Sequence, residues 1–388
     1  MFYREAGDFK TSYSNDSQTF PIKFDRYRYY FVLFVAFAIL PFILTDYWAG
    51  RILGPFLVFS IAAIGLNILT GYCGQVSLGT GGFMAVGAYS CFKFMTGVDI
   101  WYPAVCEGSR ILFFWCSGDA TYEIWFQLPP LNILLSILMA GVITAAVGVF
   151  FGLPSLRIKG FYLAVATLAA QFFLIWLFNS ASWFYNFSAT GQITAPDTFV
   201  FGTQVTGAET KPWALYMICL VFAVGCAWIA RNLTRGTVGR TWMAIRDMDI
   251  AAEIIGVNPL KAKLTAFAVS SFFIGIAGAL LFSVVSGSAE AGDVFGIQTS
   301  FQVLFIIIIG GLGSIFGSFA GAAFIVLLPV ALRVIGTDLL GWPSDLVEHF
   351  QFVIVGGLII FFLIVEPHGL AQLWRLAKEK LRLWPFPY

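Results

Sequence analysis

Two stretches of this 388-residue chain gather side chains that could do chemistry. The first, Gly65–Tyr89 (GLNILTGYCGQVSLGTGGFMAVGAY), sets Asn67, Thr70, Gln75, Ser77 and Thr80 among Gly65, Gly71, Gly74, Gly79, Gly81, Gly82 and Gly87. These groups donate and accept hydrogen bonds without carrying charge, so what they offer is recognition of a small uncharged or zwitterionic solute. Irregular glycine-rich backbone at membrane depth survives only where protein or a water-filled cavity satisfies it. A phosphate cradle is the weaker reading, because no Lys follows and no strand pattern precedes. The second stretch is Arg240–Gly256 (RTWMAIRDMDIAAEIIG). Helical spacing places Ala244, Ile245, Met248, Ala251, Ala252 and Ile255 on one face and Arg246, Asp249 and Glu253 on the other. Gly256 supplies a C-cap and Pro259 follows it. Such a helix suits docking into a partner's groove, or lying at a membrane interface; the pattern alone leaves both open.

Little else in the chain is equipped for catalysis. His349 and His368 are the only histidines, both at span ends, and no metal-ligand spacing or nucleophile–base pair is visible. There is no G-x-x-x-x-G-K-[S/T] loop, so the chain is not expected to hydrolyse ATP itself, nor to bind a cofactor or metal of its own. Cys73, Cys91, Cys219 and Cys226 lie in or beside apolar runs, where cysteine acts as a small buried hydrophobe. Cys106 and Cys116 share a polar insertion and could pair in an oxidising compartment or remain free thiols.

The elements that must position these residues are membrane helices. The chain is 59% apolar and only 11% charged, against about 25% charged for a soluble domain. Apolar runs of spanning length fall near 29–45, 52–70, 80–97, 131–153, 161–180, 213–230, 264–286, 299–312, 315–333 and 350–366. In the pair over 299–333, Gly310, Gly311 and Gly313 mark either a short loop or a break within one helix. The expected fold is therefore all-α, a polytopic bundle of about ten transmembrane helices. Gly313, Gly317 and Gly321 recur every four residues, as do Gly141 with Ala145 and Gly148 with Gly152, a spacing that lets helices pack closely in lipid.

Lys and Arg set the orientation. Arg4, Lys10, Lys23, Arg26 and Arg28 precede the first span, Arg157 and Lys159 follow the fourth, and Arg231 to Lys263 follow the sixth. Arg375, Lys378, Lys380 and Arg382 follow the last, so an even span count puts 17 of the 22 basic residues, and both termini, in the cytoplasm. The parts are then a cytoplasmic tail (1–28), a membrane domain (29–366) and an amphipathic tail (367–388). Within the membrane domain, 98–129 and 181–212 face outward, the former with an aromatic interfacial cap, and 232–262 forms a cytoplasmic loop. The first span carries no cleavage site, so the chain reads as an anchored protein and not a secreted one. Asp and Glu are absent from every long apolar run. An ion-coupled transporter keeps ionisable or convergent carbonyl groups at the midplane, so that class is disfavoured. Lys93 lies near an outer span end and is expected to snorkel. A passive channel would explain the glycine-rich patch but not the charged cytoplasmic helix. Nothing in a net charge of +1 points to nucleic acid.

Over roughly residues 52–372 the chain resembles the permease subunits of branched-chain amino acid ABC importers, the LivM type. The resemblance is carried by 65–89, by PSLRIKGFYLAVATLA (154–169), by 239–280, by IIGGLGSIFGSFAGAA (308–323) and by EPHGL (366–370). It implies that 240–256 is the coupling element inserted into an ATP-binding subunit, with Arg240, Arg246, Asp249, Glu253 and Gly256 as its residues. AAEIIG at 251–256 is similar to the importers' EAA-x-x-x-G loop, although Ile250 stands where that loop has its Glu. The implied partners are a second homologous permease, two ATP-binding subunits carrying ATP and Mg, and a periplasmic solute-binding protein, in a bacterial inner membrane. Relatives of this type also import urea, short amides and aromatic acids. The insertion at 98–129 and TGQITAP at 190–196 depart from the family's pattern on the outward face. The expected translocation path runs by Asn67, Gly71, Gln75, Ser77 and Thr80, with Gln171 and Asn179 serving either the path or helix–helix hydrogen bonds.

Overall fold

The computed structural model describes residues 12, 23–105, 121–155, 162–188, 190–200, 202–207, 210–365 and 369–383. The expected disulfide pair Cys106 and Cys116, the basic residues Arg4, Lys10, Arg157 and Lys159, and His368 lie outside them. With no water in hydrocarbon to pair backbone groups, an apolar run must satisfy its own, which it does as helix. The helices are α1 (Arg26–Ile43), α2 (Trp48–Tyr72), α3 (Thr80–Thr96), α4 (Ile133–Ser155), α5 (Tyr162–Ser180) and α6 (Pro212–Arg235). They continue as α7 (Thr237–Asp247), α8 (Asp249–Ile254), α9 (Pro259–Ser286), α10 (Ala291–Gly310), α11 (Ile315–Thr337), α12 (Ser344–Val365) and α13 (Gly369–Leu383).

Local signals start these helices where the sequence places them. Pro212 and Pro259 occupy first turns, where a missing N–H is harmless. The Asn258 side chain caps α9 by accepting from the Lys261 N–H at 3.1 Å, and Ser314 caps α11 by accepting from the Gly317 N–H at 3.1 Å. The protein is a polytopic helical membrane protein: α1, α2, α4, α5, α6, α9, α10 and α11 are long and apolar enough to cross a bilayer. Of the other two expected spans, α12 has 22 residues and α3 is shorter. α3 has 17 residues, about 25 Å at 1.5 Å per residue, because the chain enters it through non-helical backbone at 74–79.

Helices α2 and α9 are largely buried, whereas α1 lies on the periphery with half-buried residues such as Ala36, Phe37 and Leu40 against the core. α9 packs against α2, α3 and α4, and small residues bring the backbones together. A Cβ on Gly87 would overlap the Gly275 backbone, one on Gly278 would overlap Met84, and one on Gly148 would overlap Ser271. In the second small-residue seam, Gly317 and Gly321 of α11 abut Gly310 of α10. Gly313 does not join them. With φ +76 it lies in the short Gly311–Ser314 loop, so its four-residue spacing is not helix packing.

The insertion at 98–129 departs from the all-α expectation. β1 (Val98–Val105) pairs antiparallel with β2 (Thr121–Leu128), from Val98 opposite Leu128 to Val105 opposite Thr121. β3 (Ile193–Thr194), β4 (Phe199–Val200), β5 (Thr203–Gln204) and β6 (Ser288–Ala289) are two-residue strands, β3 pairing with β6 and β4 with β5. α13 docks on α10 and α11, with Trp374 stacked on Phe316 at 6.0 Å between ring centroids.

Candidate functional site

The glycine-rich stretch is where the bundle stops being regular. α2 ends in a π-helical turn, Ile68–Tyr72, with the Cys73 N–H donating to Ile68 O at 3.2 Å. Gln75 N–H reaches back to Leu69 O at 3.0 Å, so the Gly71 carbonyl is left without an intrahelical donor from Gln75. Widened turns of this kind concentrate at functional sites. Residues 74–79 then run without helix until α3 begins, with Gln75, Ser77 and Gly79 buried and Gly74 and Val76 exposed.

Neighbouring helices satisfy that backbone through side chains. Leu78 N–H donates to Thr167 Oγ1 at 3.0 Å, and Gly79 N–H to Ser77 Oγ at 3.4 Å. The first N–H groups of a helix have no partner within it. Here Gly81 N–H donates to Ser300 Oγ at 2.8 Å and Gly82 N–H to Gln171 Oε1. Gln171 Nε2 donates to Phe295 O at 2.8 Å, and its Oε1 also accepts from Ser300 Oγ at 3.2 Å. Thr80 Oγ1 donates to Ser300 O at 3.4 Å. One amide on α5 thus ties the start of α3 to α10, so Gln171 serves helix–helix hydrogen bonding in this conformation.

Asn67 does the same one level lower. Its Nδ2 donates to Ser314 O at 2.9 Å, to Ser318 Oγ at 3.0 Å and to Gly311 O at 3.4 Å, and its Oδ1 accepts from the Gly313 N–H at 2.8 Å. Asn67 and Gly71 are therefore brought against the α10–α11 loop. Gln75 differs: it is buried, and its Oε1 finds no hydrogen-bond partner among the described residues. Asn179 is exposed at the far end of α5 beside Gly292, apart from the other path residues.

The Arg240–Gly256 stretch is not one helix. Met248 is extended (φ −155°, ψ 97°) and separates α7 from α8. Asp247 and Asp249 flank it, and aspartate favours helix ends over interiors. The break resets the helical phase, which overturns both expected faces. Ile245 and Ala252 are buried, whereas Met248, Ile250, Ile254 and Ile255 are 70%, 70%, 81% and 76% exposed. Arg246 leaves Asp249 and Glu253 and turns inward, its Nη1 donating to Gly71 O at 2.9 Å. Arg240 and Glu253 are exposed, and Asp249 sits in the first turn of α8. Gly256 takes φ +93 as the expected C-cap, with the Val257 N–H donating to Ala252 O at 3.0 Å. Trp242 is fully buried and donates from Nε1 to Thr265 Oγ1 at 3.1 Å, fixing α7 to α9.

At the opposite end of α3, Lys93 does not snorkel. It is 5% exposed, with Nζ 4.1 Å from the centroid of the Trp183 ring and donating to Asn186 Oδ1. No sequence pattern linked these residues, because nothing local relates α3 to the Ser182–Tyr185 turn.

A helical bundle with a broken helix pair at its centre, clamped by neutral amides, and a rigidly mounted apolar protrusion at one end is built as a permease component. The family described as branched-chain amino acid transport system / permease component matches residues 49–363, and the chain belongs to it. It is similar to the high-affinity branched-chain amino acid transport system permease protein LivM of Salmonella typhimurium, 29% identical over 338 residues, 82% of this chain and 69% of that one. The protein of the same description from Escherichia coli matches to the same extent. A probable branched-chain amino acid transport permease protein LivM of Methanocaldococcus jannaschii is 24% identical over 332 residues, covering 81% of this chain and 90% of that one. No solved structure matches the chain.

Proposed function

We propose that this chain forms the passage of an ATP-driven importer for branched-chain or related amino acids in a bacterial inner membrane, with both termini cytoplasmic. Its partners are a second homologous permease, two ATP-binding subunits that hold ATP and Mg, and a periplasmic solute-binding protein. The observation that carries the reading is the exposed apolar cluster Met248, Ile250, Ile254 and Ile255, mounted on the bundle by the buried Trp242 and Ile245. An unburied cluster of this size beside charged residues fits the groove of a partner. The partner is the ATP-binding subunit, with Arg240, Asp249 and Glu253 at the rim setting register. The relatives named for branched-chain amino acid transport support the substrate class.

The mechanism is alternating access, in which rigid helices rock around a central path. Gln75, whose buried carbonyl oxygen is unpartnered among the described residues, is the side chain best placed to meet solute, with Ser77 and Thr80 beside it in the chain. The test is co-expression with the ATP-binding subunits. Ile254→Asp with Ile255→Asp is expected to reduce their co-purification at least tenfold while the chain still inserts; undiminished co-purification rules out this docking face. Uptake of leucine against urea by the assembled complex in vesicles decides the solute class.

A further inference from the structure

Residues from three separate parts of the chain meet at the Gly71 carbonyl. It belongs to the π-helical end of α2, and Arg246 Nη1 is its donor at 2.9 Å. The Arg246 guanidinium is itself held in a fork by Asp247, with Nε and Nη2 each 2.9 Å from Oδ1. Gly74, at φ +74, passes directly under Arg246: a Cβ there would lie 3.0 Å from Arg246 Cγ. A Cβ on Gly313 would come within 3.5 Å of Gly71 O and 3.6 Å of Arg246 Nη1. Asn67 ties the same loop to α2 through Gly313, Ser314 and Ser318. Gly369, which starts α13, sits against Ile309 O and Gly311.

We infer that Arg246, oriented by Asp247, is the latch through which movement of the α7–α8 element reaches the end of α2 and the α10–α11 loop. A C-terminal helix carbonyl is an acceptor that needs a donor from elsewhere, and a cation there also meets the negative end of the helix dipole. Arg246 supplies both from the docking element. The bond is reversible, because the Arg246 side chain is 39% exposed and water can replace it. Gly74, Gly311 and Gly313 all have positive φ around the contact, so the backbone on either side of it can re-orient where a residue with a side chain would resist. Arg246 is thus a positioning residue for the end of α2 and the α10–α11 loop and not a contact of the ATP-binding subunit. The inference rests on the docking reading above.

The experiment is amide hydrogen exchange on the chain assembled with its ATP-binding subunits, without nucleotide and with ATP plus vanadate. In the native complex, peptides over 249–256 are expected to be protected by the subunits, and peptides over 67–76 to change exchange at least threefold on nucleotide trapping. Arg246→Ala should keep the first signal and lose the second; Arg246→Lys, which retains a cationic donor, should keep part of it. Gly74→Ala, at an exposed position that crowds the seat, should reduce the second signal without touching assembly. The latch is overturned if Arg246→Ala retains the nucleotide response at 67–76, or if it releases the ATP-binding subunits, which would make Arg246 a docking residue. If 249–256 gains no protection even in the native complex, the docking reading fails and the latch with it. Should Arg246→Ala not fold, an unaltered nucleotide response in both Arg246→Lys and Gly74→Ala overturns the proposal.

Discussion

Lys93 Nζ lies 4.1 Å from the centroid of the Trp183 ring and donates to Asn186 Oδ1, which pins the end of α3 to the turn that follows α5. Asn186 takes a left-handed conformation there, φ 50° and ψ 41°, which asparagine tolerates better than most residues. Removing a partner from a buried charge is costlier than replacing the charge by an apolar chain of similar length. Asn186→Ala also carries the left-handed penalty of about 1–2 kcal/mol. Asn186→Ala is therefore expected to destabilise the chain more than Lys93→Met, by roughly 1–2 kcal/mol. Thermal unfolding of the two variants in detergent checks the order; a Lys93→Met variant that melts lower reverses it.

Asn67 offers a second measure of how much a neutral amide contributes inside the bundle. Its four hydrogen bonds join α2 to the α10–α11 loop. Interhelical hydrogen bonds in membrane proteins average about 0.6 kcal/mol each, so the set contributes about 2 kcal/mol. Asn67→Ala further leaves the Gly313 N–H without its acceptor, a loss of about 1–3 kcal/mol if no water reaches it. Asn67→Ala is expected to lower stability by about 2–4 kcal/mol, and Asn67→Asp, which keeps the acceptor for Gly313 but loses the donor, to do so through the Ser314 and Ser318 contacts. Unfolding in denaturant reads both.

The membrane helices were legible because hydrophobic length is a local property; Gly310, Gly311 and Gly313 left a short loop and a break within one helix both open, and the structure has the short loop Gly311–Ser314 with Ser314 capping α11. The sequence also marked Asn67, Gln75 and Gln171 as unusual, since neutral amides stand out in apolar runs. It did not show what they bind. Asn67 meets Ser318, and Gln171 meets Gly82 and Ser300, far away along the chain, and no periodicity encodes such pairings. The 240–256 stretch was misread for a related reason. Helical phase was carried unbroken through Met248, whereas the aspartates on either side end one helix and begin another. The same distance effect hid the inward turn of Arg246 onto Gly71, which belongs to a different helix.

Close approach of α3 and α9 depends on two glycines facing each other. A Cβ on Gly87 would overlap the Gly275 backbone, and one on Gly275 would overlap Thr144 of α4. Because the neighbouring atoms of Gly87 are backbone, no rotamer change relieves the overlap, and the helices must separate. Separation forfeits the dispersion contacts that hold membrane helices together where lipid supplies no hydrophobic drive. Gly87→Val is expected to destabilise by more than about 3 kcal/mol, in the range of severe overpacking, whereas Gly225→Val, at a position with open space around it, should be near neutral. Yield of monodisperse protein in detergent, compared between the two, measures the difference.

Gln171 permits a test by replacement of one amide. Its Nε2 donates to Phe295 O at 2.8 Å while its Oε1 accepts from Gly82 N–H and Ser300 Oγ. Gln171→Leu removes donor and acceptor together and takes from the Gly82 N–H and the Phe295 carbonyl their side-chain partner, a loss of about 1–3 kcal/mol for a buried group. Gln171→Glu keeps the acceptor for Gly82 and Ser300 but sets its second oxygen against the Phe295 carbonyl. Both variants are therefore expected to melt below the native chain in detergent. Native-like melting of Gln171→Leu would show that the amide does not bridge α3 and α10.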